Sequence, residues 1–111
     1  MMNKFRGTGV ALVTPFTSAG AVDFPSLKKL VDYVITHGVN YVVALGTTAE
    51  TPTLSDQEKK EVLAFIVATI AGRVPVVCGI GGNNTAEVLS QLKAYDLSKI
   101  DGILSVVPYY N

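Results

Sequence analysis

The sequence predicts an α/β fold with a parallel β-sheet, and two observations support this. Apolar runs centred on Val10, Val42, Val76 and Ile103 recur at near-regular spacing and carry apolar residues on both faces, which is typical of strands in a sheet covered by helices. Segments with helical spacing of apolar residues lie between these runs. The resulting order, β-α-β-α-β-α-β, predicts parallel strands joined by right-handed crossovers.

Composition and charge narrow the class of protein further. The chain has 111 residues, of which 49% are hydrophobic and 16% are charged, as expected for one modest globular domain spanning residues 1–111. Nine Lys and Arg balance nine Asp and Glu, so no net field favours nucleic acid or an anionic membrane as a partner. No long apolar segment follows Lys4 and Arg6. We therefore expect neither a signal peptide nor a membrane span, and a cytoplasmic location.

The first strand is predicted at residues 8–13 and the first helix begins near Asp23. Aspartate is a common N-terminal cap, and Pro25 fits the first turn of a helix. His37 and Gly38 end the helix, with glycine in the usual stop position and the histidine predicted to be solvated. The inward stripe of this helix consists of Leu27, Leu30, Val31, Val34 and Ile35.

The second strand, residues 41–45, leads into the turn Gly-Thr-Thr-Ala-Glu at 46–50. Thr47 and Thr48 therefore lie between the carboxyl end of a strand and the start of a helix, which is where α/β folds bind ligands. Backbone N–H groups at such a turn favour an anion, and the hydroxyls can donate or accept a proton. An ordinary polar turn remains the alternative interpretation.

The second helix is predicted to begin at Ser55, which has capping-box spacing with Glu58, and to end near Gly72. Its inward residues are Val62, Leu63, Ile66 and Ile70. A third strand follows at residues 75–78, where the single cysteine, Cys78, is expected to be a buried small hydrophobe.

The rest of the chain contains a glycine-rich loop at 79–84, a third helix and a fourth strand at 103–107. The third helix is predicted to bury Val88, Leu89 and Leu92. The loop does not match the dinucleotide-binding pattern, because its sixth position is Asn84, and no P-loop lysine follows. Close backbone packing explains these glycines as well as a phosphate site does.

This order of elements fits either a flavodoxin-like sheet or the first half of a (β/α)8 barrel, with four parallel strands and three helices. We favour the half-barrel for two reasons. Polar residues recur at the exit of every strand, as the rim of a barrel requires, and no helix follows the last strand.

Taken together, the motifs resemble the dihydrodipicolinate synthase family, one of the pyruvate-dependent lyases that include N-acetylneuraminate lyase. They occur in the order of that family and span nearly the whole chain. The neuraminate lyases differ, with serine as the first hydroxyl after the glycine and no Tyr-Tyr-Asn. The motifs are Gly-Thr-Gly to Thr-Pro-Phe at 7–16, Gly-Thr-Thr-Ala-Glu at 46–50, Arg-Val-Pro-Val at 73–76, Gly-Gly-Asn-Asn-Thr-Ala-Glu at 81–87 and Val-Pro-Tyr-Tyr-Asn at 107–111.

The resemblance implies a lyase of lysine biosynthesis that condenses pyruvate with aspartate semialdehyde through a Schiff base on a lysine, without a metal or other cofactor. Thr47 matches the threonine of a hydroxyl proton relay, and Tyr110 matches the relay tyrosine that reaches into the neighbouring subunit. Thr48 matches the residue that binds the carboxylate of the pyruvate adduct. The resemblance also implies a homo-oligomer, either a dimer or a dimer of dimers.

A second site follows from the same resemblance, since lysine inhibits some members of the family. Asn83, Glu87 and Tyr109 match residues of that allosteric site, whereas Lys59 is a cation that would repel the amine of lysine, with Asp56 offsetting part of the repulsion. The alternative interpretation is that Asn84 and Glu87 form a helix cap and that Tyr109 packs at an interface. A further departure is Ala49, where the family usually has glycine, and alanine would be strained there if the turn requires a positive φ.

The Schiff-base lysine and the second relay tyrosine of the family lie beyond Asn111. No lysine of this chain is predicted to lie at a strand end, so we expect a truncated enzyme that is inactive alone. The alternative hypothesis is a self-contained, non-enzymatic α/β module that dimerises through Tyr109 and Tyr110. The strand-end motifs favour the enzyme, because a generic binding module has no need to match them.

Overall fold

A computed structural model, which describes residues 4–82 and 84–105, confirms the α/β half-barrel. Four parallel strands form one sheet in the order in which they occur along the chain. Sequential order without a reversal distinguishes this sheet from a doubly wound one, because right-handed crossovers then place all the helices on the same face. The elements are β1 (Gly9–Ala11), α1 (Phe24–Thr36), β2 (Tyr41–Ala44), α2 (Asp56–Ile70), β3 (Val76–Gly79), α3 (Thr85–Ala94) and β4 (Gly102–Leu104).

The helix starts are those predicted from the capping residues. Asp23 caps α1, and its carboxylate accepts a hydrogen bond from the Ser26 N–H at 3.1 Å. Ser55 and Glu58 form the capping box of α2, with reciprocal bonds of 3.1 and 2.8 Å. Asn84 caps α3 by accepting hydrogen bonds from the first turn of that helix.

The core lies between the sheet and the helices. Val42 pairs in register with Val76, and both side chains are buried beneath the helices together with Ala44 and Cys78. Phe24 of α1 packs on Phe65 of α2 with ring centroids 5.0 Å apart. The buried residues contributed by the helices are Leu27, Val31, Val62, Leu63, Ile66 and Ile70. All of them belong to the predicted stripes.

The opposite, concave face of the sheet is not covered by these helices. Val13 and Leu104 are 48% and 46% exposed on this side, and Ala11, Val43 and Val77 lie between them. Apolar residues do occur on both faces of the sheet, as predicted, but within residues 4–82 and 84–105 the helices pack against one face only. This apolar surface is hereafter called the concave face.

Two further expectations about the elements need correction. Leu89 is 53% exposed, because α3 turns only Val88 and Leu92 towards the core. Strand β1 covers Gly9–Ala11 rather than residues 8–13, and β4 covers Gly102–Leu104. Residues 106 and 107 of the predicted fourth strand lie outside the described part of the chain.

Two single residues lie where the sequence predicts them. Cys78 is fully buried, and burial raises the pKa of its thiol to about 11, as expected for an unreactive core residue. His37 is exposed at the end of α1, where its Nδ1 lies 2.8 Å from the Tyr33 carbonyl oxygen.

Among the helices of the described segments, none has the length and apolar character needed to cross a membrane.

Candidate active site

The candidate site is a cavity of about 300 Å³ at the carboxyl ends of the central strands. Its walls come from the end of β2, the loop that follows β3, and one face each of α2 and α3. The polar side chains that line it are Thr47, Thr51, Lys59, Glu87 and Gln91, and the remaining lining includes Leu45, Gly46, Gly79, Ile80, Gly81, Gly82 and Leu104. A pocket in this position corresponds to the ligand-binding end of a (β/α)8 barrel.

The chain reaches this cavity through a sharp change of direction at Leu45. This buried residue has φ = 58°, a left-handed conformation that costs a non-glycine residue roughly 1–2 kcal/mol. Two short 3₁₀ turns follow, Thr47–Ala49 and Thr51–Thr53, before α2 begins. A strained conformation of this kind at a strand exit is typical of a functional site, since the surrounding structure must hold it in place.

Thr51 and Gly79 both contact the backbone of residues 45 and 46. The Thr51 hydroxyl lies 2.7 Å from the Gly46 carbonyl oxygen and 3.1 Å from that of Leu45, and donates to them. On the side facing β3, a Cβ atom at Gly79 would overlap the Leu45 carbonyl oxygen. The glycine at this position is therefore explained by close backbone packing, which was one of the two interpretations of the glycine-rich loop.

Ala49 is not strained in this turn. The left-handed residue is its neighbour Glu50, with φ = 58°, whereas Ala49 lies within the first 3₁₀ turn and its methyl group is buried. Replacement of the usual glycine of the family is therefore compatible with the backbone found here.

The hydroxyls of Thr47 and Thr48 are free to bind a ligand. Both residues are exposed, and neither side chain donates or accepts a hydrogen bond within residues 4–82 and 84–105. Thr47 lines the cavity, whereas Thr48 is outside its lining. A free hydroxyl can pass on a proton, because it donates and accepts at the same oxygen atom.

An amine and a carboxylate line other parts of the cavity. Glu87 is in the first turn of α3, and Lys59 of α2 lines the same cavity with a side chain that is only 14% exposed. The Lys59 ammonium lies 4.0 Å from the Asp56 carboxylate. Lys59 lies on a helix, as predicted, and lines the cavity from the first turn of α2.

The sequence interpretation missed Thr51 and Gln91 as parts of this site. A signal existed for Gln91, which is four residues after Glu87, so the two share one helix face. The predicted Tyr110, Tyr109 and Asn83 lie outside the described residues. Within the described ranges, no three His, Cys, Asp or Glu side chains come together as a metal site.

The fold and the cavity define a class of protein: a (β/α)8-barrel protein with its ligand site at the carboxyl ends of the strands. The family is shown directly by comparison. The chain belongs to the dihydrodipicolinate synthetase family, whose model matches residues 4–111.

Similar sequences are 4-hydroxy-tetrahydrodipicolinate synthases. The enzyme from Azobacteroides pseudotrichonymphae is 56% identical over 106 residues, which cover 96% of this chain and 36% of the relative. The enzyme from Flavobacterium psychrophilum is 57% identical over 110 residues, or 99% of this chain and 38% of the relative. The chain thus spans a little more than a third of the length of these curated relatives.

Solved structures agree with the sequence comparison. Dihydrodipicolinate synthase from Bacillus anthracis superposes with a TM-score of 0.91 at 38% identity, covering 98% of this chain and 37% of that one. The chloride-inhibited enzyme from Acinetobacter baumannii, solved with pyruvate, gives a TM-score of 0.90 at 42% identity, covering 96% and 36%. The fold of the described residues is therefore that of one part of a barrel.

Proposed function

We propose that the chain forms the first part of a 4-hydroxy-tetrahydrodipicolinate synthase, a cytoplasmic lyase of lysine biosynthesis that condenses pyruvate with aspartate semialdehyde. The observation that carries this proposal is the unbonded Thr47 hydroxyl, which lines the cavity at the exit of β2 in a chain that matches the family over residues 4–111. The likeness to a relative solved with pyruvate supports the choice of the keto acid.

In this proposal the chemistry starts on a lysine supplied by a later part of the barrel. Its amine condenses with the keto group of pyruvate and water leaves. The resulting Schiff base loses a proton from its methyl carbon to become an enamine, which attacks the aldehyde carbon of the second substrate. No metal or other cofactor is required, because the protonated imine itself withdraws the electrons.

Each hydroxyl has a separate role. Thr47 passes protons between the reacting atoms and solvent, together with Tyr110 from a neighbouring subunit, since a hydroxyl can donate and accept in turn. Thr48, the next residue of the same turn, binds the carboxylate of the pyruvate adduct. These two roles are supported by one observation: both side chains are exposed and make no hydrogen bond in the described segments.

The test uses the protein expressed from its complete reading frame, called the full-length protein below. We expect turnover of pyruvate with aspartate semialdehyde, and a single borohydride-reduced pyruvate adduct found by mass spectrometry on a lysine outside residues 1–111. A folded full-length protein with neither turnover nor adduct would contradict the proposal. Intact mass, compared with the length of the reading frame, establishes which polypeptide is being assayed.

The polypeptide of residues 1–111 alone is expected to form no such adduct and to be inactive. Lys59 is the lysine on which an adduct would be most informative, because it lines the cavity together with Thr47. Its amine belongs to α2 rather than to the end of a strand, and it lies 4.0 Å from the Asp56 carboxylate. A reduced adduct on Lys59 would show that this expectation is wrong.

A lysine-binding site at Asn83, Glu87 and Tyr109 is the second element of the proposal, and we expect inhibition by lysine to be weak or absent. Lys59 lines the cavity that Glu87 lines, and two ammonium groups at about 4 Å in water repel by on the order of 1 kcal/mol. Titration of the full-length protein with lysine decides this. Half-maximal inhibition below roughly a millimolar, about −4 kcal/mol of binding free energy, would contradict the expectation.

Homo-oligomerisation as a dimer or a dimer of dimers completes the proposal, since the role of Tyr110 requires a second subunit. One solved relative, 38% identical, is described as a monomeric dihydrodipicolinate synthase variant, so the assembly has to be measured rather than assumed. Sedimentation of the full-length protein gives the state directly, and a monomer with full activity would remove Tyr110 from the relay.

A further inference from the structure

We propose that Thr51 is a positioning residue whose hydroxyl holds the end of β2 in the conformation that presents Thr47 to the cavity. The activity part of this inference rests on the function proposed above. Its structural part does not, since it concerns only the backbone of residues 45–49.

The first step concerns the backbone at Leu45. A leucine with φ = 58° occupies a conformation that L-residues avoid unless their surroundings impose it. The Leu45 side chain is buried, so the residue cannot move to a better conformation without displacing part of the core. Hydrogen bonds to the carbonyl groups of Leu45 and Gly46 therefore determine the direction of the chain after β2.

Thr51 supplies those contacts from outside the sheet. Its Oγ1 lies 2.7 Å from the Gly46 carbonyl oxygen and 3.1 Å from the Leu45 carbonyl oxygen. One hydroxyl proton serves both, with Gly46 as the nearer acceptor. From the other side, the Leu45 carbonyl packs so closely against Gly79 that a Cβ atom at position 79 would overlap it. The two neighbouring peptide groups are thus fixed from both sides.

The Gly46 carbonyl also determines the position of the 3₁₀ turn that contains Thr47. The same oxygen atom also accepts a hydrogen bond from the Ala49 N–H at 3.0 Å, which closes the 3₁₀ turn containing Thr47 and Thr48. Rotation of the Gly46 peptide therefore moves both threonine hydroxyls relative to the cavity. A displacement of about 1 Å at a reacting group can cost on the order of a hundredfold in rate.

A purely structural role for Thr51 is the competing explanation, and the chain contains a matched control for it. Thr53 belongs to the same pair of turns, and its Oγ1 donates to the Glu50 carbonyl oxygen at 2.7 Å. That bond stabilises the second turn without touching the end of β2. Loss of either hydroxyl therefore removes one loop hydrogen bond, but only loss of the Thr51 hydroxyl releases the Leu45 and Gly46 peptides.

The kinetic test compares Thr51→Val, Thr51→Ser and Thr53→Val in the full-length protein. We expect kcat/KM to fall about tenfold or more for Thr51→Val, to recover to within about threefold for Thr51→Ser, and to change less than about twofold for Thr53→Val. Equal losses for Thr51→Val and Thr53→Val, or no rescue by serine, would overturn the inference. Thr51→Ala removes the same hydroxyl without the added methyl group, and it replaces Thr51→Val if the latter fails to fold.

Crystal structures of the same variants provide a readout that does not depend on synthase activity. In Thr51→Val we expect the Gly46 carbonyl to rotate and the Thr47 hydroxyl oxygen to shift by more than roughly 0.5 Å, with neither change in Thr53→Val. An unchanged backbone at 45–47 in Thr51→Val would overturn the inference, whatever the kinetics. Absence of turnover in the unsubstituted protein would instead count against the proposed function and leave this comparison intact.

Discussion

At the scale of single residues, the loop after β2 contains two threonines whose hydroxyls are used in opposite ways. Thr47 is exposed and makes no hydrogen bond within the described segments, whereas Thr51 is half-buried and donates to backbone carbonyls. The sequence predicts that polar groups occur in this turn, but it cannot assign their uses. The difference arises from the left-handed Leu45, whose conformation depends on packing between β2 and β3.

Substitution of Thr47 tests its proposed role as a proton carrier. Thr47→Val keeps the shape of the side chain and removes the hydroxyl, so turnover of the full-length protein should fall at least about tenfold, within the range of a lost acid–base group. The melting temperature should hardly change, because this hydroxyl has no partner among residues 4–82 and 84–105. Unchanged steady-state turnover would remove Thr47 from the relay.

At the scale of elements, local chemistry predicted the helix starts and tertiary packing decided what the sequence could not. Asp23 and Ser55 could be identified as caps because a cap depends on side chains within one turn. Leu89 was misplaced because the helical period alone does not show which part of an apolar stripe meets the sheet. Gln91 was missed at the site for a related reason, since the sequence alone does not show that its face of α3 lines the cavity.

The end of α2 contains a residue that is not optimal for stability. Ala71 caps this helix with φ = 50° and is exposed. Ala71→Gly removes a left-handed cost of roughly 1–2 kcal/mol, offset by about 0.4–1 kcal/mol of added freedom in the unfolded chain. We therefore expect a gain of about 0.5–1 kcal/mol in the free energy of unfolding, measured by urea denaturation.

The control for this variant is Gly72→Ala, since Gly72 also has a positive φ, of 78°. It should be destabilising, because alanine adds strain at that position while no atom lies close enough to clash with its Cβ. If both variants changed stability in the same direction, left-handed strain would not be the cause.

Asp101, the residue before β4, links the N-terminal segment to β3 and makes stability sensitive to acid. Its carboxylate accepts hydrogen bonds from the Lys4 ammonium and from the Val76 N–H, each at 2.9 Å, and these bonds lower its pKa below the usual 3.8. A lowered carboxyl pKa contributes stability that is present above pH 3.8 and is lost as the pH falls through the folded-state value. The contribution should also weaken in high salt.

Thermal melts of the full-length protein between about pH 2 and 6 test this linkage. Asp101→Asn should reduce the fall in melting temperature below pH 4, because the amide does not titrate. Lys4→Met should remove part of the same effect and should add little in the double variant, since Lys4 is the largest cause of the shift. Additive effects of the two substitutions would show that the groups act independently.

At the scale of the whole molecule, the concave face and the two edges of the sheet dominate the behaviour of the described part of the chain. Val13 and Leu104 leave apolar surface open on one side of the sheet, and the outer edges of β1 and β4 are unpaired within residues 4–82 and 84–105. Exposed edges are templates for pairing with another chain, and a large apolar face favours association.

The polypeptide of residues 1–111 should therefore self-associate or bind the remaining part of a barrel when expressed alone. Val13→Lys should weaken self-association, since it places a charge on the concave face. Leu89→Lys is the matched control, because Leu89 is similarly exposed but belongs to the outer surface of α3. A stable monomer with a sharp cooperative melt in the sedimentation and melting experiments would instead support the self-contained module.

The sequential strand order has a further consequence, for the way the chain reaches its fold. Each strand pairs with the next one along the chain, so every pairing closes a loop no longer than one helix and its connections, and the entropy cost of closure stays small. Sequential pairing keeps the sequence separation of the contacts smaller than in a parallel sheet whose strand order is rearranged, which favours faster folding than in such a sheet. The sheet can grow by one β-α unit at a time while the polypeptide is still leaving the ribosome, with each finished helix covering the strands behind it.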